Sequence, residues 1–282
     1  MRVRFWGTRG SIPTPGPENT EFGGNTPCVQ VTCDDGSQLI LDAGSGIRAL
    51  GGALVGVRAP IHILLTHLHL DHIQGLLFFA PFFDPDAEIT VWGPPSSAHT
   101  LRERLARYLS SPLSPVEIRD LPARVSFESV PGERWRLAGC EVSAALVAHR
   151  GPTLGYRLDT GAASLCYLPD HEPGLGVQLG RTAAEWVSGL SLARGATALI
   201  HDAQYREDEY RARVGWGHSS LGDALAFAAR AGAERTLFFH HDPAHDDDAL
   251  EAMGAEASER WDRGGGSLEL ARERMELSLG GG

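Results

Sequence analysis

Thr66-His67-Leu68-His69-Leu70-Asp71-His72 places three imidazoles and a carboxylate within residues 67–72. Neutral imidazole nitrogens and carboxylate oxygens suit Zn²⁺ and neighbouring borderline metals. A metal held there would lower the pKa of bound water and polarise a substrate, which is hydrolytic chemistry at neutral pH. Isolated histidines are ordinary in any chain. Four ligand-type side chains in one tight turn are hard to explain by packing.

The elements around this stretch must position it. Residues 61–65, Ile-His-Ile-Leu-Leu, are a short apolar run that reads as a buried strand. His67 and His69 sit two apart, so an extended backbone points both rings the same way. Asp71 and His72 fall where the chain turns toward a helix and can reach a second centre. Upstream, residues 2–6, 28–33 and 38–41 read as strands, with Asp34-Asp35-Gly36 as a hairpin turn. The third strand ends at Asp42-Ala43-Gly44-Ser45-Gly46.

Downstream, 73–83 reads as a buried helix, 88–92 as a strand and 98–109 as a helix with a charged face. Strands follow at 125–130 and 141–148, and a hairpin at 154–158 and 163–168. Strand ends again deliver chemistry: His149, then Asp170-His171-Glu172, then His201-Asp202 after 197–200, and His240-His241-Asp242 after 237–239. Helices are expected at 183–192, at 221–231 behind a Ser219 or Ser220 cap, and at 246–261. A turn at 264–266, a strand-like run over 268–279 and frayed terminal glycines complete the chain. The second half echoes the plan of the first without repeating its sequence.

At 282 residues the chain can bury a large core, and 42% hydrophobic with 22% charged residues is ordinary for a soluble globular protein. A single domain over 1–282 is expected. No apolar run is long enough to span a membrane and the first residues lack a signal-peptide core, so a cytoplasmic protein is the default. Cys28, Cys33, Cys140 and Cys166 form no Cys-x-x-Cys pair and read as buried free thiols. The net charge of −11 counts against a polyanionic partner such as tRNA.

Thr-His-x-His-x-Asp-His after a buried strand resembles the signature of the metallo-β-lactamase superfamily of binuclear metallohydrolases, and the likeness extends from Gly7 to Pro243. The resemblance implies an α/β fold, an αββα four-layer sandwich of two mixed sheets with helices outside and the site at one edge. It implies a first ion on His67, His69 and His149, a second on Asp71, His72 and His240, and Asp170 bridging both; His241 is the alternative to His240. Asp42 would orient the metal loop through hydrogen bonds, a helix cap being its other reading.

His201-Asp202-Ala203 and Gly217-His218-Ser219-Ser220 resemble segments of ribonuclease Z and related phosphodiesterases. There an acidic residue, here Asp202 in place of Glu, pairs with a histidine, here His218, that protonates the leaving oxygen. Asp71 is a candidate base, and Arg9, Arg150 and His171 are candidate phosphate contacts. Residues 7–13 and 23–26 also resemble a subgroup of small-molecule phosphodiesterase-like hydrolases.

The departures narrow the substrate. Ribonuclease Z inserts a basic tRNA-clamping arm between its third-motif His and its bridging Asp, whereas 150–169 here suffices only for a hairpin and turns. The extra Cys-type zinc site of the bacterial cyclic-phosphate phosphodiesterase is missing. The expectation is therefore a binuclear phosphodiesterase of cyclic nucleotides or similar small phosphodiesters. Its cofactors would be two divalent ions, zinc first, with manganese, iron, cobalt or nickel open. It would take no nucleic-acid or membrane partner and would form a homodimer. The rivals are an acyl hydrolase of thioesterase or lactamase type, a ribonuclease Z-like RNA endonuclease and a non-catalytic metal-binding domain. Against the last, no ligand is missing.

Overall fold

The computed structural model describes residues 1–261 and 265–280. Fourteen strands form two seven-stranded sheets. The first holds β1 (Arg2–Gly7), β2 (Cys28–Thr32), β3 (Gln38–Leu41), β4 (Ile61–Leu64), β5 (Glu88–Gly93), β6 (Arg124–Ser129) and, paired with β1, β14 (Glu276–Ser278). The second holds β7 (Arg134–Leu137), β8 (Cys140–Leu146), β9 (Leu154–Asp159), β10 (Ser164–Leu168), β11 (Ala198–Asp202), β12 (Arg235–Phe239) and β13 (Ser267–Leu270).

Each sheet is antiparallel through its first four strands and parallel through the remainder. In the first the order is β14-β1-β2-β3 and then β4-β5-β6. In the second it is β7-β8-β9-β10 and then β11-β12-β13. The echo between the two halves of the sequence is thus a repeat of topology. β14 completes the first sheet from the far end of the chain.

Why the sheets face each other follows from their side chains. Val3, Phe5, Val29, Val31, Leu39 and Leu41 of the first pack against Val142, Tyr156, Leu158, Leu165, Tyr167, Ile200, Leu237 and Phe239 of the second. The central strands β3 and β10 are buried along their whole length, as strands covered on both faces must be. Outside the first sheet lie α1 (Ile47–Ala53), α2 (Leu70–Ile73) and α3 (Leu101–Ala106). Beyond the second lie α4 (Leu190–Ala193), α5 (Glu207–Tyr210), α6 (Leu221–Ala231) and α7 (Asp247–Arg260). The result is an αββα sandwich. Among the described residues, no helix is long and apolar enough to cross a membrane.

Several helices differ from the sequence expectation, each for a local reason. The run 73–83 is not one helix: α2 covers the end of the histidine turn, and 3₁₀ turns follow at Leu76–Phe78 and Ala80–Phe83. Gly75 sits so close to the loop after β3 that a Cβ there would lie 2.1 Å from the Gly44 carbonyl oxygen, and Pro81 blocks further α-helix. The helix expected at 98–109 starts only at Leu101, because Thr100 and Glu103 close a capping box. The span 183–192 breaks into a 3₁₀ turn (Ala184–Trp186) and α4, separated by left-handed Gly189. Ser220 caps α6, its side chain accepting from Asp223 N. The run 268–279 splits into β13 and β14, which lie in opposite sheets. Of the expected 264–266 turn, residue 264 lies outside the described residues, as do 281 and 282 of the terminal glycines.

Candidate metal centre

All the strand ends that deliver ligand-type residues meet at one edge of the sandwich. β4 ends just before Thr66, and β3 ends at Asp42, whose φ of 60° turns its carboxylate back under the next loop. That carboxylate is fully buried and accepts from Thr66 N (2.7 Å), Thr66 Oγ1 (3.0 Å), Tyr167 OH (3.0 Å) and His72 Nδ1 (2.8 Å). Asp42 is therefore no helix cap: it ties the histidine loop to both sheets.

The imidazoles share one orientation rule. His72 Nδ1 donates to Asp42, His67 Nδ1 to Thr66 Oγ1 (3.0 Å), His149 Nδ1 to the Gly217 carbonyl (2.7 Å) and His240 Nδ1 to Gln204 Oε1 (2.9 Å). Each bond sets the ring orientation and aims Nε2 inward. His69 instead turns Nδ1 inward, 3.2 Å from His149 Nε2.

Asp170 lies at the centre and divides the cluster between its two oxygens. Oδ2 is 3.7 Å from His67 Nε2 and 3.5 Å from His149 Nε2. Oδ1 is 3.0 Å from His72 Nε2 and 3.4 Å from His240 Nε2. Asp71 Oδ2 joins the second group, 3.4 Å from His72 Nε2 and 3.3 Å from His240 Nε2, and accepts from Ser11 N at 2.8 Å. The donor atoms of His67, His69, His149 and Asp170 all lie within 4.8 Å of one another, and so do those of Asp71, His72 and His240.

Bonds of about 2.0–2.2 Å to a common ion separate ligand atoms by roughly 3–3.5 Å. The Nε2 atoms of His67, His72 and His240 and Oδ1 of Asp170 are buried without a hydrogen-bond partner. Orphaned polar atoms are costly in a folded interior unless a ligand satisfies them. The donor set fits divalent ions.

Electrostatics sharpen the picture. Burial raises the proton affinity of the Asp71 and Asp170 carboxylates, but the surrounding imidazoles outweigh it and hold both well below the usual carboxylate range. Burial pushes His67, His69 and His149 down, so they are neutral and fit to ligate. Burial also opposes charge on His72, yet Asp170, Asp71 and Asp42 prevail and raise it well above the ordinary histidine value.

His218 stands beside the cluster. Its Nδ1 donates to Asp202 Oδ2 at 2.6 Å, so the shorter aspartate arm makes the contact directly. Its Nε2 lies 4.0 Å from Asp170 Oδ2. Burial lowers its proton affinity, but Asp202 and then Asp170 and Asp71 raise it to about 9, so the ring is charged at neutral pH. By distance it could join Asp170 and His240 around an ion.

Other expected contacts lie elsewhere. Arg9 is fully buried, and its guanidinium is used by the Gly23, Asp242 and His245 carbonyls and Asn19 Oδ1. With four of its five N–H donors so engaged and Asp247 Oδ1 3.8 Å from the remaining side of the guanidinium, it clamps loops. His171 is buried against His201 (Nδ1 to Nε2, 3.0 Å) and Phe227, away from the mouth. His241 donates to the Ala271 carbonyl at 2.8 Å and packs on Phe22, pointing away from the centre that His240 faces. Arg150 is at the mouth, its Nε on the Gly215 carbonyl (2.8 Å). It lines a cleft of about 200 Å³ beside His67 and His69, with Leu68, Pro94, Arg104 and Pro152.

The roles of four residues were not foreseen. Ser11, Gln204, Tyr167 and Glu172 orient other groups through hydrogen bonds. Gln204 follows Asp202 by two positions and was within reach of the strand-end pattern. The others carry no sequence signal, because their partners are distant in the chain.

Comparison with known proteins identifies the family and the fold. The profile of the Beta-lactamase superfamily domain matches residues 38–241. Ribonuclease Z from Mycobacterium avium (strain 104) is 27% identical over 274 residues, covering 86% of this chain and 87% of that protein. The metallo-beta-lactamase fold protein YhfI from Bacillus subtilis superposes with a TM-score of 0.70 at 16% identity, covering 98% of each chain. A diphosphatase from the PhnP family also gives 0.70, at 19% identity, over 99% of this chain and 97% of its own.

Proposed function

The chain belongs to the beta-lactamase superfamily and is a metal-dependent hydrolase of that fold, and from that premise we propose that it is a binuclear phosphodiesterase of small phosphodiesters, cyclic nucleotides foremost. One observation carries the reading: the His218–Asp202 pair at 2.6 Å, with His218 Nε2 held 4.0 Å from Asp170. A dedicated acid is needed when the leaving group is an alkoxide. Thiolates leave unaided, which disfavours thioester hydrolysis.

In this reading His67, His69, His149 and Asp170 would hold one divalent ion, and Asp71, His72, His240 and Asp170 a second; zinc suits the donors best. Bound there, the pair supplies an acidified water and charge stabilisation at phosphorus. The chain's own residues do the remainder. Asp71, kept ionised and anchored on Ser11 N, orients the attacking water by accepting its hydrogen bond and is the candidate base. Asp202 keeps His218 in the tautomer and charge state that delivers a proton from Nε2 to the departing oxygen. Arg150, fixed on the Gly215 carbonyl, supplies positive charge at the mouth. A single hydrolase domain over 1–282, a homodimer and a cytoplasmic setting complete the proposal. The last is supported by four buried free thiols.

A second reading, an RNA endonuclease, is favoured by relatives named ribonuclease Z that cover most of this chain. Against it stand the net charge of −11 and the short β9–β10 hairpin between His149 and Asp170. The test is to assay metal-loaded protein against bis-p-nitrophenyl phosphate, cyclic mononucleotides, an RNA with a 3′ extension and a thioester. Small-diester cleavage lost on chelation supports the proposal. RNA cleavage alone moves the protein to the second reading, and thioester turnover without diester cleavage rejects both.

A further inference from the structure

We propose that Glu172 is a positioning residue that sets the 215–218 loop and, through it, three groups of the site at once. The inference rests on the diesterase reading above. Glu172 is fully buried, two residues beyond Asp170. Its Oε1 accepts from Gly215 N (2.7 Å) and Tyr210 OH (2.8 Å), and its Oε2 from Gly217 N (2.7 Å). Its own amide donates to the Ala148 carbonyl at 2.8 Å, next to His149. These partners are neutral donors, so no cation offsets the desolvation of the carboxylate.

The other side of the same loop explains what the carboxylate does. Gly215, bound to Glu172 through its N–H, gives its carbonyl to Arg150 Nε. Gly217, bound in the same way, gives its carbonyl to His149 Nδ1 at 2.7 Å. The next residue is His218, whose Nδ1 reaches Asp202. One buried carboxylate therefore fixes the orientation of a ligand imidazole, the proton donor and the mouth arginine. Both oxygens are needed as acceptors. A glutamine keeps the size but turns an N–H₂ toward an amide N–H.

The experiment compares Glu172→Gln with wild type in three readouts. Hydrogen exchange of the peptide spanning 215–218 should quicken by about 10–100-fold with the rest of the chain unchanged. Affinity for the zinc ion that His149 would hold, measured by chelator competition, should fall by about 10–100-fold. The ratio of kcat for a cyclic nucleotide, which expels an alkoxide, over bis-p-nitrophenyl phosphate should fall by about tenfold or more. Should Glu172→Gln fail to fold, Tyr210→Phe, which removes one donor and no amide, should move the same readouts in the same direction by a smaller factor.

Unchanged exchange at 215–218 would overturn the proposal. So would faster exchange with zinc affinity and leaving-group ratio both unaltered, since the loop would then be structural only. If wild type cleaves no diester at all, the functional reading fails, while exchange and zinc affinity still decide the role of Glu172.

Discussion

At the scale of single residues, the centre depends on which nitrogen of each imidazole is engaged. Replacing His218 by Ala should cut kcat on alkoxide-leaving diesters by about 10²–10⁴-fold and affect p-nitrophenolate release far less, read by steady-state kinetics. The sign of the pH effect follows from its raised proton affinity. His218 is protonated below about 9, so the rate should fall as pH rises through that limb, and bound cations move the limb lower. His218→Ala should abolish it. Asp42→Asn keeps the shape but removes the charge behind His72 and Thr66, so metal affinity should drop by about 10–100-fold in a chelator titration. The inward-facing set was legible because those residues stand together at 66–72 or at strand ends. The role of Glu172 was not: it was named only as part of the Asp170-His171-Glu172 strand end, and its donors lie 38–45 positions away. Arg9 misled for the converse reason, since a loop arginine gives no sign that backbone carbonyls will consume its donors.

At the scale of elements, strand ends place the chemistry and short loops hold it. The 215–218 loop shows how tightly: Gly217 has φ of 98°, and a Cβ there would lie 2.3 Å from His149 Nδ1. Gly217→Ala should therefore displace His149 and lower the bound-metal stoichiometry in elemental analysis, beyond a backbone cost of about 1–3 kcal/mol. Strands were readable from alternation and β-branched runs. The spans 221–231 and 246–261 match α6 and α7, whereas 73–83 was read too long, because apolar content there does not reveal that Gly75 must lie against the Gly44 carbonyl. Residues 268–279 read as one extended run for a similar reason. Nothing in that composition tells that Ala271 to Met275 leave one sheet for the other.

At the scale of the molecule, the ligands come from both sheets: His67, His69, Asp71 and His72 follow the first, and His149, Asp170 and His240 extend the second. In the proposed reading, metal would therefore bind the docked sandwich and not its halves. Free ion at a hundred times Kd should add about 2.7 kcal/mol and raise the melting temperature by several degrees, and chelation should reverse this in a thermal scan. The pairing of β14 with β1 carries a further consequence in time. A ribosome releases β1 to β6 long before residues 276–278, so the nascent first sheet waits with the outer edge of β1 unpaired. In the early part of that interval, until residues 170 and 240 are made, the histidines at 67, 69 and 72 stand without Asp170 or His240. A newborn chain should thus be most prone to sticking while β1 lacks β14, and to capturing stray metal in the wrong geometry earlier still, before residue 240 is made.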